Sequence, residues 1–92
     1  MATVIQRTAT ITNKRGLHAR AAAKFVQCLE RFDAEVTVSR QDMEVSGCSI
    51  MGLMMLAASP GCQINMQAQG ADAEAALDAV MALIEARFDE DQ

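Results

Sequence analysis

Residues 4–29 read Val-Ile-Gln-Arg-Thr-Ala-Thr-Ile-Thr, then Asn-Lys-Arg-Gly, then Leu-His-Ala-Arg-Ala-Ala-Ala-Lys-Phe-Val-Gln-Cys-Leu. The spacing of apolar residues changes once inside this stretch. Val4 to Thr12 is rich in β-branched residues and sets Ile5, Ala9 and Ile11 on one face, which predicts a strand even though Arg7 breaks the alternation. Asn13-Lys14-Arg15-Gly16 is a polar turn closed by glycine. From His18 onward Ala22, Phe25, Val26 and Leu29 recur at helical spacing, while Lys24, Gln27 and Arg31 take the other side. The alanine run at 21–23 supports that helix by intrinsic propensity.

Working outward, Ala34 to Ser39 alternates again with Ala34, Val36 and Val38 inward, and a Gln41-Asp42 turn leads into a short strand at Met43 to Val45. After a break at Ser46-Gly47-Cys48-Ser49, Ser49 is placed to cap a short helix from Ile50 to about Ala58, with Ser59-Pro60-Gly61 as its stop. Cys62 to Gln69 is a strand with Ile64, Met66 and Ala68 on one face. Asp72 starts a last helix whose apolar stripe is Ala73, Ala76, Leu77, Val80 and Ile84, and residues 89–92 read as a frayed tail. The order β-α-β-β-α-β-α predicts an α+β fold: an open-faced two-layer β-sandwich, with a four-stranded antiparallel sheet and three helices on one of its faces.

The 92 residues make a single domain, 1–92, without repeat or linker. Aromatics are only 3% against 51% hydrophobic residues overall, so the core must be built from Ala, Val, Ile, Leu and Met, with small side chains letting the layers approach closely. Cys28, Cys48 and Cys62 have no metal-ligand spacing, and their odd number predicts reduced thiols and a cytoplasmic protein. No basic region followed by an apolar run opens the chain, and Ile50 to Ala58 is far too short to span a membrane. A net charge of −4 disfavours general nucleic-acid binding. Seven of the eight basic residues lie at or before Arg40, seven of the twelve acidic ones at or after Asp72, and none of either lies between Val45 and Ala71. The neutral, methionine-rich middle is therefore an unusual stretch for a solvated surface.

The sole histidine, His18, stands where the first turn becomes the first helix. Unpaired N–H groups and the helix dipole make such a terminus a phosphate site. The same positive end favours a neutral imidazole, whose lone pair makes it a nucleophile near neutral pH. A phosphoryl group there would meet the N–H groups of Ala19 and Arg20 and the Arg20 guanidinium, with Lys14 and Arg15 raising the potential. No carboxylate lies in sequence from Ile5 to Gln27, which suits a site that admits an anion. Local chemistry alone leaves another reading open, in which His18 merely caps the helix and Arg20 is an ordinary surface residue. Nothing supports serine hydrolysis, since no GxSxG elbow exists, or a metal centre, since there is one histidine and the cysteines are scattered.

The run Asn13-Lys14-Arg15-Gly16-Leu17-His18-Ala19-Arg20 resembles the active-site motif of the histidine-containing phosphocarrier protein (HPr) family of the phosphoenolpyruvate-dependent phosphotransferase system. Ser49-Ile50-Met51-Gly52-Leu53-Met54 resembles the family's second motif, at the start of its short helix. The resemblance extends over essentially the whole chain and implies an open-faced β-sandwich. It departs at Ala21, where many members have proline, and at Cys48, where sugar-transport members often carry lysine.

The resemblance implies a stoichiometric carrier without a cofactor, rather than an enzyme with its own turnover. His18 would be phosphorylated on Nδ1 by Enzyme I, Arg20 would stabilise the phosphate, and an enzyme IIA protein would be the recipient. Sugar transport and a nitrogen-related regulatory branch both stay open, and a monomer is expected. Partner binding would fall on Ile50, Met51, Met54 and Lys24, unless the methionines are core; Leu53 and Leu56 can supply the one buried stripe a short helix needs. Some members are phosphorylated at the serine equivalent to Ser49 by an ATP-dependent HPr kinase/phosphorylase. The alternative function is accordingly a regulatory binding protein controlled through Ser49 that transfers nothing.

Overall fold

The computed structural model describes residues 4–90. Its elements are β1 (Ile5–Thr10), α1 (Ala19–Leu29), β2 (Glu35–Arg40), β3 (Met43–Ser46), α2 (Ile50–Met55), β4 (Gln63–Gln69) and α3 (Ala73–Glu85), followed by a short 3-10 turn at Arg87–Asp89. The four strands form one antiparallel sheet in the order β1-β4-β2-β3, as the expected α+β sandwich requires.

The register stacks the inward residues in rows: Ala9 faces Ile64 across β1–β4, while Met66 faces Val38 and Ala68 faces Val36 across β4–β2. These six side chains are buried beneath the helices. The opposite face carries Thr8, Thr37, Asn65 and Gln67, and Asn65 donates to the Thr8 hydroxyl at 3.3 Å across the strands. Arg7, the residue out of pattern in β1, reaches Asp78 of α3 at 3.8 Å, so a charge on the helix-facing side is met at the edge of the layer.

Over this sheet α1 buries Ala21, Ala22, Phe25, Val26 and Leu29, and α3 buries Ala73, Ala76, Leu77, Val80 and Ile84. Full burial of each Leu, Ile, Val or Phe contributes about 1.5–3 kcal/mol. The alanines at 21, 22 and 76 admit nothing larger without overpacking.

The sequence predicts that α2 runs to about Ala58, but it ends at Met55, with Leu56 as C-cap and Ala57 left-handed at φ +53°. Donors from outside the helix explain the early stop. Arg40 Nη1 donates to the Leu56 carbonyl and the Leu17 N–H to the Ala58 carbonyl, both at 3.0 Å, so these oxygens are satisfied without another helical turn. Asp72 is the N-cap of α3 but makes no side-chain cap; its carboxylate accepts from the Asp33 N–H at 2.8 Å instead.

The expected frayed tail does not hold for residues 89 and 90. Phe88 is completely buried and holds the 3-10 turn against the domain, with Asp89 inside the turn and Glu90 directed back onto α1's N-terminus. Residues 91 and 92 lie outside the described residues.

Candidate functional site

The turn before α1 is clamped from two sides. Ile11 donates its N–H to Cys62 O and accepts from the Gly61 N–H, both at 2.8 Å. Asn13 is fully buried, and its Nδ2 donates to Gly16 O at 2.8 Å while Gly16 N–H returns to Asn13 O at 3.2 Å. Gly16 takes φ +64° and packs so closely on the α2 exit that a Cβ there would stand 2.3 Å from Ala58 O. Buried Leu17 then ties its N–H to that same carbonyl. The sequence thus delivers His18 from a tightly fixed turn rather than from a loose loop.

His18 is the N-cap residue of α1, extended at φ −77° and ψ 178°, and its side chain makes no capping bond. The simple capping role therefore does not describe the ring, which is left for other chemistry. The first intrahelical bond, from Ala22 N–H to His18 O at 2.9 Å, leaves the N–H groups of Ala19, Arg20 and Ala21 ahead of it at the positive end of the helix.

The ring borders an open pocket whose cations are Lys14, Arg15, Arg20 and Lys24. Arg20 is exposed in the first helical turn, beside His18 as the motif implies. Lys24, expected on a docking surface, donates from its ammonium to the Phe88 carbonyl at 2.6 Å and ties the C-terminal turn to α1.

The pocket also holds two carboxylates that the sequence does not place there, Asp89 and Glu90. Glu90 Oε2 meets His18 Nε2, and Glu90 Oε1 accepts from Asn13 Nδ2 at 3.1 Å. Burial disfavours the charged carboxylate, but hydrogen bonds from His18 and Asn13 and the charges of His18 and Arg15 outweigh it and hold Glu90 below its ordinary value. The stretch from Ile5 to Gln27 holds no carboxylate, but the fold brings Asp89 and Glu90 to the site from the far end of the chain.

On the neighbouring α2, Ser49 caps as expected, accepting from Gly52 N–H at 2.9 Å. Leu53 and Leu56 are buried, whereas Met51 is 72% exposed, Met54 43% and Ile50 41%. Met55, 62% exposed, extends the same apolar surface and was not among the expected residues. α2 packs on α1, and the segment after it touches the turn carrying His18, so the two elements are neighbours. Among the described residues no three His, Cys, Asp or Glu side chains gather where they could hold a metal ion, and no helix is long and apolar enough to cross a membrane.

A family model described as the PTS HPr component phosphorylation site matches residues 5–86, stopping before the C-terminal turn and Glu90. The chain is 47% identical over 88 residues to the phosphocarrier protein NPr of Shewanella violacea, covering 96% of this chain and 97% of that one. It is 46% identical over 88 residues to a phosphocarrier protein HPr of Xylella fastidiosa, covering 96% and 99%. The crystal structure of HPr-C-His from Thermoanaerobacter tengcongensis superposes with a TM-score of 0.90 at 41% identity, covering 96% of this chain and 99% of that one.

Proposed function

Since the chain belongs to the HPr family of phosphocarriers of the phosphotransferase system, we propose that it accepts a phosphoryl group on His18 from Enzyme I and delivers it to an enzyme IIA protein. The observation that carries this reading is the sole histidine, uncommitted as a cap, at a helix N-terminus beside a pocket lined by four cations and two carboxylates. A ring nitrogen of His18 attacks the phosphorus held by Enzyme I, the bond to the donor breaks, and its electron pair stays with the donor. The N–H groups of α1's first turn and the pocket cations receive the transferred dianion. Delivery to the IIA protein is the same displacement in reverse.

The test is incubation with Enzyme I, phosphoenolpyruvate and Mg²⁺. One acid-labile phosphoryl group per chain is expected, and an unlabelled chain would overturn the proposal. Presenting the labelled protein to IIA proteins of the sugar-transport and nitrogen-related kinds then distinguishes the two branches.

Arg20 acts on the phosphoryl group rather than on the fold. Losing a hydrogen bond to a charged group costs about 1.5–3 kcal/mol, so Arg20→Ala should slow transfer roughly 10- to 100-fold. Its thermal transition should stay where it was, because the side chain is exposed. An unchanged transfer rate removes Arg20 from the site, and a lost transition makes its role structural.

The exposed methionines supply an adaptable docking surface for Enzyme I. Met51→Asp should weaken that association about tenfold or more by leaving a charge in a drying interface, while stability stays within about 0.5 kcal/mol. If calorimetry shows unfolding as the main effect, Met51 is a packing residue. Phosphate on Ser49 would bring a charge of about −1.5 to −2 to the same edge. In the same assay, Ser49-phosphorylated protein is therefore expected to associate more weakly and to accept phosphate more slowly at subsaturating concentration, and equal rates leave Ser49 a cap alone.

A further inference from the structure

An ionised carboxylate only accepts hydrogen bonds. The contact between Glu90 Oε2 and His18 Nε2 therefore requires the proton of a neutral imidazole to sit on Nε2, leaving the lone pair on Nδ1. The second oxygen is fixed by Asn13, whose Nδ2 also holds the Gly16 carbonyl, so one buried amide sets both the turn before His18 and the carboxylate beside it. The segment bearing Glu90 is held rather than draped. Arg87, Phe88 and Asp89 take φ of +56°, +55° and +59° with no glycine among them, a conformation costing about 1–2 kcal/mol per residue. Complete burial of Phe88 and the Lys24 bond to its carbonyl oppose that cost.

We propose that Glu90 is a positioning residue for His18, selecting the ring form whose nucleophile is Nδ1 and balancing the charge that the ring acquires. The inference rests on the phosphocarrier reading above and concerns a residue outside the stretch that the family model matches.

The step needs a protein phosphohistidine as donor. The Nδ1 lone pair of His18 attacks its phosphorus; the donor's N–P bond breaks and that electron pair returns to the donor ring. His18 then carries Nδ1–P and keeps Nε2–H, so its ring is cationic and faces the Glu90 carboxylate. No proton moves. In delivery an acceptor nitrogen attacks the same phosphorus, the Nδ1–P pair returns to His18, and the ring is neutral again with its proton still on Nε2. Glu90 thus holds an orientation and a charge balance, as a carboxylate behind a catalytic imidazole does in other group transfers.

The experiment compares full-length protein with Glu90→Ala and Glu90→Gln, read by ring ¹⁵N NMR of the single histidine and by the rate of labelling from phosphorylated Enzyme I. In the unmodified protein the Nε2–H form should dominate the neutral ring. Glu90→Ala should lose part of that bias and accept phosphate on the order of tenfold more slowly, the scale on which partners behind a working ligand act. Glu90→Gln, which keeps an acceptor without the charge, should fall between. An unchanged ring form and rate in Glu90→Ala overturns the proposal. So does faster labelling, which would make Glu90 an obstruction. If Enzyme I labels none of the proteins while Glu90→Ala still shifts the ring, the positioning role stands and the carrier reading fails.

Discussion

A His18→Ala chain is expected to take up no phosphoryl group from phosphorylated Enzyme I while melting as a folded domain. The backbone at 18 is extended, which alanine adopts freely, and the imidazole makes no capping bond whose loss would loosen α1. Replacing an effective cap typically costs about 1 kcal/mol; here that contribution is absent, and what disappears is the contact with Glu90 at the rim of the pocket. The expected signature is therefore complete loss of acid-labile label with a thermal transition that barely moves. Mass spectrometry of the intact protein reads the first quantity and calorimetry the second. Label retained in the variant would place the phosphoryl site on another residue.

The second large effect is structural. In Gly16→Val the new side chain must start 2.3 Å from the Ala58 carbonyl oxygen and 3.0 Å from the Ser59 Cα, both backbone atoms that no rotamer change can move aside. It must also hold φ near +64°, where a β-branched residue is strongly disfavoured. Together these should cost about 3 kcal/mol or more, lowering Tm by roughly 12–24 °C in a domain of this size. Because the displaced carbonyl also takes the Leu17 N–H, the residue before His18 moves with it, and labelling should fall even at temperatures where the variant is folded. A melting point within about 3 °C of the unmodified protein would mean that turn and α2 exit can part without cost.

What the sequence discloses about this fold is what depends on neighbours along the chain. The stripe of α1, the alternation of β4 and the cap at Ser49 are periodic or local, and the structure repeats them with small shifts of boundary. The division of α2 into buried leucines and exposed methionines was legible only as a choice, since a six-residue helix is too short for its spacing to say which side meets the core. Its early end was not legible, because Arg40 and Leu17, which satisfy the Leu56 and Ala58 carbonyls just past it, come from distant segments. Glu90 was hidden for the same reason. It meets His18 across a separation of 72 residues, and an acidic run at the end of a chain ordinarily reads as solvated. The site was thus visible as a histidine, an arginine and a glycine turn, while the carboxylate that contacts the imidazole came only with tertiary structure.

The strand order β1-β4-β2-β3 bears on how the molecule is assembled. The β2–β3 hairpin closes over two residues, but β1 pairs only with β4, near the other end of the chain. Loop-closure entropy makes that pairing the most costly to begin, so β1 is expected to dock late, a sequence that pulse-labelled hydrogen exchange would register as β2–β3 amides protected ahead of those of β1. The turn presenting His18 hangs from β1 and is clamped by Cys62, Gly61 and Ala58 just before β4. A nascent or partly folded chain would then carry the histidine without the site, and only a finished molecule could enter the relay.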